Sequence, residues 1–165
     1  MSSEQILNLT KETRDLIPNI PICVTIPHTL LLSEQIRLAI LLEKSGVSII
    51  QTEGYSTKDN IDSKNCSLLK SMTNASSAIS STYALTCFVN TPIIAASGTN
   101  SLSAPAAFPY GASVVGIGSA VSNYDIIHNM AMYIYEIVCS ITAFSNKPVI
   151  VPQLCQMDHI DYMTC

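Results

Sequence analysis

His28 and Glu53 are the residues of this chain best suited to move protons. Each follows a short apolar run: His28 comes just after PICVTIP, and Glu53 lies near the end of VSIIQTEG. Imidazole titrates near neutrality and a shielded carboxylate can accept or return a proton, so both suit general acid–base chemistry. Thr25, Gln51 and Thr52 belong to the same two strand ends. A second pair of segments has another chemistry. IIAASGTNS carries Gly98 and Thr99, and VVGIGSAV carries Gly118 and Ser119. Glycines at strand ends let backbone N–H groups approach a phosphate, and a following helix start favours its negative charge. Each feature also has a purely structural explanation. Glu53 can hold loop backbone, His28 can pack or cap, and the glycines can serve tight turns.

Such residues act only if a framework brings them together. Ser2 or Ser3 is placed to cap a helix reaching Leu16, stopped by Pro18 and Pro21. PICVTIP is then a buried strand. Ser33 and Glu34 open a second helix that Gly46 closes. VSIIQTEG is a second strand, followed by a polar loop over Tyr55–Asn65 and a helix from about Ser80 to Val89 that carries Tyr83, Leu85, Cys87 and Phe88. IIAASG is the next strand. Ser103, Ala104 and Pro105 begin a helix that Gly111 ends. SVVGIGSAV is another strand, and Asn123 or Asp125 is placed to cap a last helix running to about Phe144. These strands start about 25, about 46 and about 21 residues apart, against a usual strand-plus-helix unit of the shorter length. The doubled interval predicts one further strand near Asn74–Ile79, giving five βα units.

Successive βα units form either an open doubly wound sheet or a barrel. Two neighbouring glycine-bearing strand ends favour the barrel, since phosphate-binding barrels use the loops after strands seven and eight. The fold expected is therefore α/β, a partial (β/α)8 TIM-type barrel comprising strands four to eight with their helices. It would span residues 1–146, with 147–165 as a tail.

Other chemistries find little support. GIGSAV lacks the third glycine of a dinucleotide fingerprint, and there is no Walker motif. A net charge of −4 without a basic run argues against nucleic acid as a partner. No apolar run reaches the length of a membrane span. Six scattered cysteines without a C-x-x-C pair are expected to be reduced thiols, several of them small core residues. Lys70 has nothing to mark it as a Schiff-base residue. His128, Met130, Met132 and Tyr133 to Tyr135 have the spacing of a helix-packing surface. His159 between Asp158 and Asp161 is taken as a chance grouping in the tail, so neither a metal nor a cofactor is assigned.

LTKETRDLIP, VTIPHTLLLSEQIRLAILLEKSG, IIQTEG and the pair AASGTNS and GASVVGIGSAV together resemble the plastid and cyanobacterial family called hypothetical chloroplast reading frame twenty-three. The resemblance runs from about Ser3 to Val121. It implies a TIM-type barrel, a plastid location, and chains longer at the N-terminus, where strands one to three would lie. This chain then reads as a fragment, a start assigned at an internal methionine, or a decaying gene, in preference to half of a barrel-completing dimer. Self-association is left open. Two functions follow. One is a barrel acting on a small phosphorylated metabolite, with Glu53 and His28 moving protons and Gly98, Thr99, Gly118 and Ser119 holding phosphate. The other is a non-catalytic metabolite-sensing or regulatory barrel, or an inactive remnant. Whether the protein is an enzyme stays open at this point.

Overall fold

A computed structural model describes residues 1–54 and 67–143. The loop over Tyr55–Asn65, the tail from Lys147, and Cys66, Cys155, Cys165 and His159 lie outside the described residues. The chain begins with α1 (Ser3–Leu16). The Ser2 hydroxyl accepts the Gln5 N–H at 3.3 Å, and Gln5 Oε1 accepts the Ser2 N–H at 2.9 Å. This reciprocal cap satisfies two of the donors a helix start leaves unpaired. At the other end, Arg14 ties the helix down. Its guanidinium donates to the carbonyls of Pro18 (3.0 Å), Ile20 (2.8 Å) and Gly46 (2.6 Å).

Then follow β1 (Cys23–Ile26), α2 (Leu32–Lys44) and β2 (Ile49–Glu53). Leu31, not Ser33, occupies the cap position of α2, and the Glu34 carboxylate accepts the Leu31 N–H at 3.2 Å. Gly46 terminates the helix in the left-handed region, with φ +76°. Next come α3 (Ser67–Thr86), β3 (Ile93–Ala96), the short α4 (Ala104–Ala107), β4 (Val114–Gly116), the short α5 (Ser119–Ser122) and α6 (Ile127–Thr142).

The strand expected over Asn74–Ile79 is absent. That segment is the middle of α3, a single 20-residue helix. Its buried residues Ala75, Ala78, Ile79, Thr82 and Leu85 recur at helical spacing, and the long interval reflects this helix. The described residues therefore hold four strands. The cap expected from Asn123 or Asp125 is also not made: Ile126 precedes α6 and no side chain closes its first turn. Gly111 (φ +95°) lies in the turn before β4, beyond the end of α4.

The four strands are parallel and ordered β1-β2-β3-β4, with no reversal. Register places Val24, Ile50 and Ile93 in one row, and Ile26, Thr52, Ala95 and Val115 in the next. Both rows face the helices. Ile26, Ile50 and Ile93 pack with Ile6 of α1, Leu38 and Leu42 of α2, and Leu85 of α3. Ala95 packs with Ala75 and Ile79 of α3 and Ala107 of α4, where small side chains let backbones come close. The buried Thr52 hydroxyl lies 3.0 Å from the Ala78 carbonyl and 2.9 Å from the Thr82 hydroxyl, so the polar pair is satisfied inside the core.

Strand alternation sends the intervening residues to the opposite face. Cys23, Thr25, Ile49, Gln51, Glu53, Ile94, Ala96, Val114 and Gly116 form it, and Val114 is half exposed there. A sheet covered by helices on one face, with an open alternating second face, is compatible with part of a barrel. The described cysteines Cys23, Cys87 and Cys139 are unpaired, but none is in the core: Cys23 and Cys87 are exposed and Cys139 is half-buried. Partial burial still pushes the Cys23 thiol up. The α6 residues Met132, Ile134 and Val138 are exposed, so much of the expected packing surface is uncovered, and Ile137 is its buried residue.

The edge of the sheet opposite the candidate site has its own clamp. In the last turn of α2, the Glu43 carboxylate accepts the N–H groups of Asn90 (2.7 Å) and Thr91 (2.9 Å) and the Thr91 hydroxyl (3.1 Å). The Asn90 N–H, with smaller help from Thr91, holds the Glu43 carboxyl below the usual carboxylate range against an opposing push from burial. A carboxyl lowered by folding adds stability that is present above its unfolded pKa, about 4.3, and is lost as pH falls through the folded value. Urea unfolding followed from pH 6 to pH 3 should thus show a smaller acid loss for Glu43→Gln than for the parent chain. Parallel pH curves would show that this clamp does not couple to folding.

Candidate functional site

The C-terminal ends of the four strands lie along one edge of the sheet. On β1 and β2 the strand ends bring His28 and Glu53 together, although 25 residues separate them in sequence. His28 Nδ1 lies 3.0 Å from Glu53 Oε2, and the His28 backbone N–H donates to the same oxygen at 3.3 Å. Their side chains are 21% and 36% exposed, so the pair is sheltered yet reachable from solvent. The parallel register accounts for the meeting. Ile26 pairs with Thr52, which leaves Glu53 level with the residues where the β1 chain turns away at Pro27.

An ionised carboxylate only accepts hydrogen bonds, so the proton between the groups belongs on Nδ1. The arrangement is that of a carboxylate held against one edge of an imidazole ring.

The glycine-bearing half of the edge is built differently. Ser97 and Gly98 both follow β3 with positive φ, +65° and +71°. A non-glycine residue in this region is uncommon and is held there by its surroundings. The Thr99 side chain is buried, and its hydroxyl donates to the Gly116 carbonyl at 2.7 Å, tying the β3 and β4 ends together. Gly118 has open space where a side chain would begin, and the exposed Ser119 starts α5. The structure thus brings Gly98, Thr99 and Gly116 to one junction, with Gly118 and Ser119 just beyond it.

A brace behind this edge has only a local sequence signal. Asn100 Oδ1 accepts the Leu102 and Ser103 N–H groups at 3.0 and 3.2 Å, and Asn100 Nδ2 donates to the Ser71 hydroxyl of α3 at 2.6 Å. The Ser101 N–H reaches the Tyr133 hydroxyl of α6 at 3.4 Å. The local Asn-x-x-Ser turn is readable in retrospect, but its attachment to α3 and α6 is tertiary.

Two clefts lie away from these groups. One, of about 470 Å³, opens between α3 and α4 and includes Met72, Ile79, Tyr83 and Tyr110. The other, of about 570 Å³, runs along α6 beside Tyr124, Met132, Tyr133 and Cys139. Neither is lined by His28 or Glu53. Among the described residues, no group of three or more His, Cys, Asp or Glu is placed to hold a metal ion, and no helix is long and apolar enough to cross a membrane.

Relatives share this chain over most of its length. The Uncharacterized protein ycf23 of Porphyra purpurea is 44% identical over 144 residues, covering 87% of this chain and 53% of that protein. The protein of the same name from Antithamnion sp. is 42% identical over 146 residues, covering 85% and 53%. That from Cyanophora paradoxa is 37% identical over 134 residues, covering 80% and 53%. The chain spans about half the length of the curated relatives it matches. The family described as Protein of unknown function (DUF561) matches residues 1–147. The chain therefore belongs to this family, that of the ycf23 proteins, and with it to the plastid.

Proposed function

We propose that this chain is an arc of a (β/α)8 barrel whose strand ends carry an acid–base centre for a small phosphorylated metabolite. The observation that carries this reading is the 3.0 Å contact between His28 Nδ1 and Glu53 Oε2 at adjacent strand ends. Sequential strand order and an uncovered second face support the arc, since a doubly wound sheet reverses its order. Within it, Glu53 orients the ring and His28 Nε2 carries the proton. Backbone at Gly98, Thr99 and Gly118, with Ser119, receives the phosphate; the Thr99 hydroxyl, expected to share in this, is instead taken up by the Gly116 carbonyl. Isomerase, lyase and synthase chemistry all use such a centre.

Urea unfolding with and without inorganic phosphate tests the anion half. For a dissociation constant near 1 mM, about 10 mM phosphate stabilises the native state by about 1.4 kcal/mol. Glu53→Gln should retain that shift, because the carboxylate lies on the other half of the edge. The same variant should lose the Nδ1–H tautomer of His28 in ¹⁵N spectra. Unfolding that ignores phosphate would remove the phosphate site, and an unchanged His28 tautomer would remove the orienting role of Glu53.

A further inference from the structure

We propose that Gln51 and Thr25 form the ligand-binding floor beneath the His28–Glu53 pair, and that their ligand is a small phosphorylated hydroxycarbonyl compound. This rests on the acid–base reading above and names its substrate class. The open sheet face is organised in rows. Register aligns Thr25, Gln51, Ile94 and Val114 across it, and one level higher aligns Glu53, Ala96 and Gly116. The upper row is therefore a carboxylate followed by two of the smallest residues. A side chain at Gly116 would meet the Ala96 Cβ at 2.8 Å, so the surface beside Glu53 is kept low. On this face Val114 is exposed and Ile94 half-buried, while Ala96 beside Glu53 is buried; a ligand would lie over Ile94 and Val114, between the proton-transfer pair and the glycine-bearing strand ends.

The floor of that space is divided. Ile94 and Val114 make its apolar half, and Thr25 and Gln51 its polar half. Adjacent strands lie about 4.8 Å apart, which puts the Thr25 hydroxyl and the Gln51 carboxamide within reach of neighbouring oxygens of one small molecule. Neither side chain has a hydrogen-bond partner within the protein among the described residues, in contrast with Thr52 on the opposite face, whose hydroxyl is fully engaged. A carboxamide both donates and accepts, and a hydroxyl does likewise. Together they match a carbonyl oxygen beside a hydroxyl, the grouping from which an acid–base pair removes and returns protons. The phosphate of the same molecule would reach Gly98 and Gly118.

The test uses phosphoglycolohydroxamate, which carries a phosphate and a planar mimic of a deprotonated hydroxycarbonyl, with inorganic phosphate as the comparison. In ¹H–¹⁵N spectra of the full chain, the hydroxamate should shift the Gln51 side-chain NH₂ resonances, and inorganic phosphate should not. Gln51→Leu combined with Thr25→Val should weaken hydroxamate binding by about tenfold, as expected for two lost hydrogen bonds, and leave inorganic phosphate unaffected. If phosphate binds but the hydroxamate binds no more tightly and leaves Gln51 unmoved, the floor is refuted and the phosphate site stands. If neither compound binds, both fall. The Gln51 resonances of the unmodified chain decide the matter even if the double variant folds poorly.

Discussion

Gly98→Ala should destabilise the chain by about 2–5 kcal/mol, read as a fall in the urea midpoint at constant slope. Two costs add. Gly98 has φ +71°, a conformation that costs a residue with a Cβ about 1–2 kcal/mol. The new Cβ would also collide with the Asn74 carbonyl oxygen and lie 2.5 Å from its carbonyl carbon. These are backbone atoms within α3, so relief requires the helix to move away from the β3 end. Overpacking of that kind costs about 1–3 kcal/mol. Gly54 meets the same obstacle, since a Cβ there would strike the Ser97 and Asn74 carbonyl oxygens. Gly118→Ala is the control. It has φ −116° and nothing within 4 Å of the added atom, so its change should stay within about 0.5 kcal/mol. Equal effects at positions 98 and 118 would mean that α3 does not approach the strand ends this closely.

Much of this arrangement was legible because hydrophobic runs bounded by proline and glycine mark strands and helices without reference to the rest of the chain. PICVTIP, VSIIQTEG, IIAASG and SVVGIGSAV each contain the observed strand. The segment from Thr73 to Ile79 misled because its small residues give weak periodicity. Ala75 and Ala78 are completely buried, yet a hydropathy pattern scarcely distinguishes them from the serines around them. Their role is close approach to the sheet, where Ala75 packs with Ala95 and the Ala78 carbonyl accepts from the Thr52 hydroxyl. The ends of α6 misled for another reason. Asn123 and Asp125 are good cap residues, but α5 and the turn after it place Ile126 at the cap instead. His28 and Glu53 were identifiable one by one from their positions at strand ends. Their contact was not, since it depends on the β1–β2 register and on the Glu53 oxygen that also accepts the His28 backbone N–H. The division of roles proposed for them rests on the contact between His28 Nδ1 and Glu53 Oε2.

Alternation along β2 separates stability from chemistry, and the contrast should be measurable with two neighbouring substitutions. Ile50 is completely buried among residues of α2, α3 and β3. Removing its side chain to the β-carbon loses the transfer free energy and leaves a cavity bounded by elements that cannot all close at once. Ile50→Ala should therefore cost about 2–5 kcal/mol. Gln51, one residue later, points to the open face, so Gln51→Ala should change stability by no more than about 0.5 kcal/mol. If this chain is joined to a second wall in a longer protein, that face becomes interior, and the cost at position 51 should then rise when the same substitution is made in the longer protein. The Ile50→Ala cost should be alike in both, because its packing partners already lie within this chain. A large loss for Gln51→Ala in the 165-residue chain itself would show that the second face is already covered, and the open floor assigned to ligand would have to be given up.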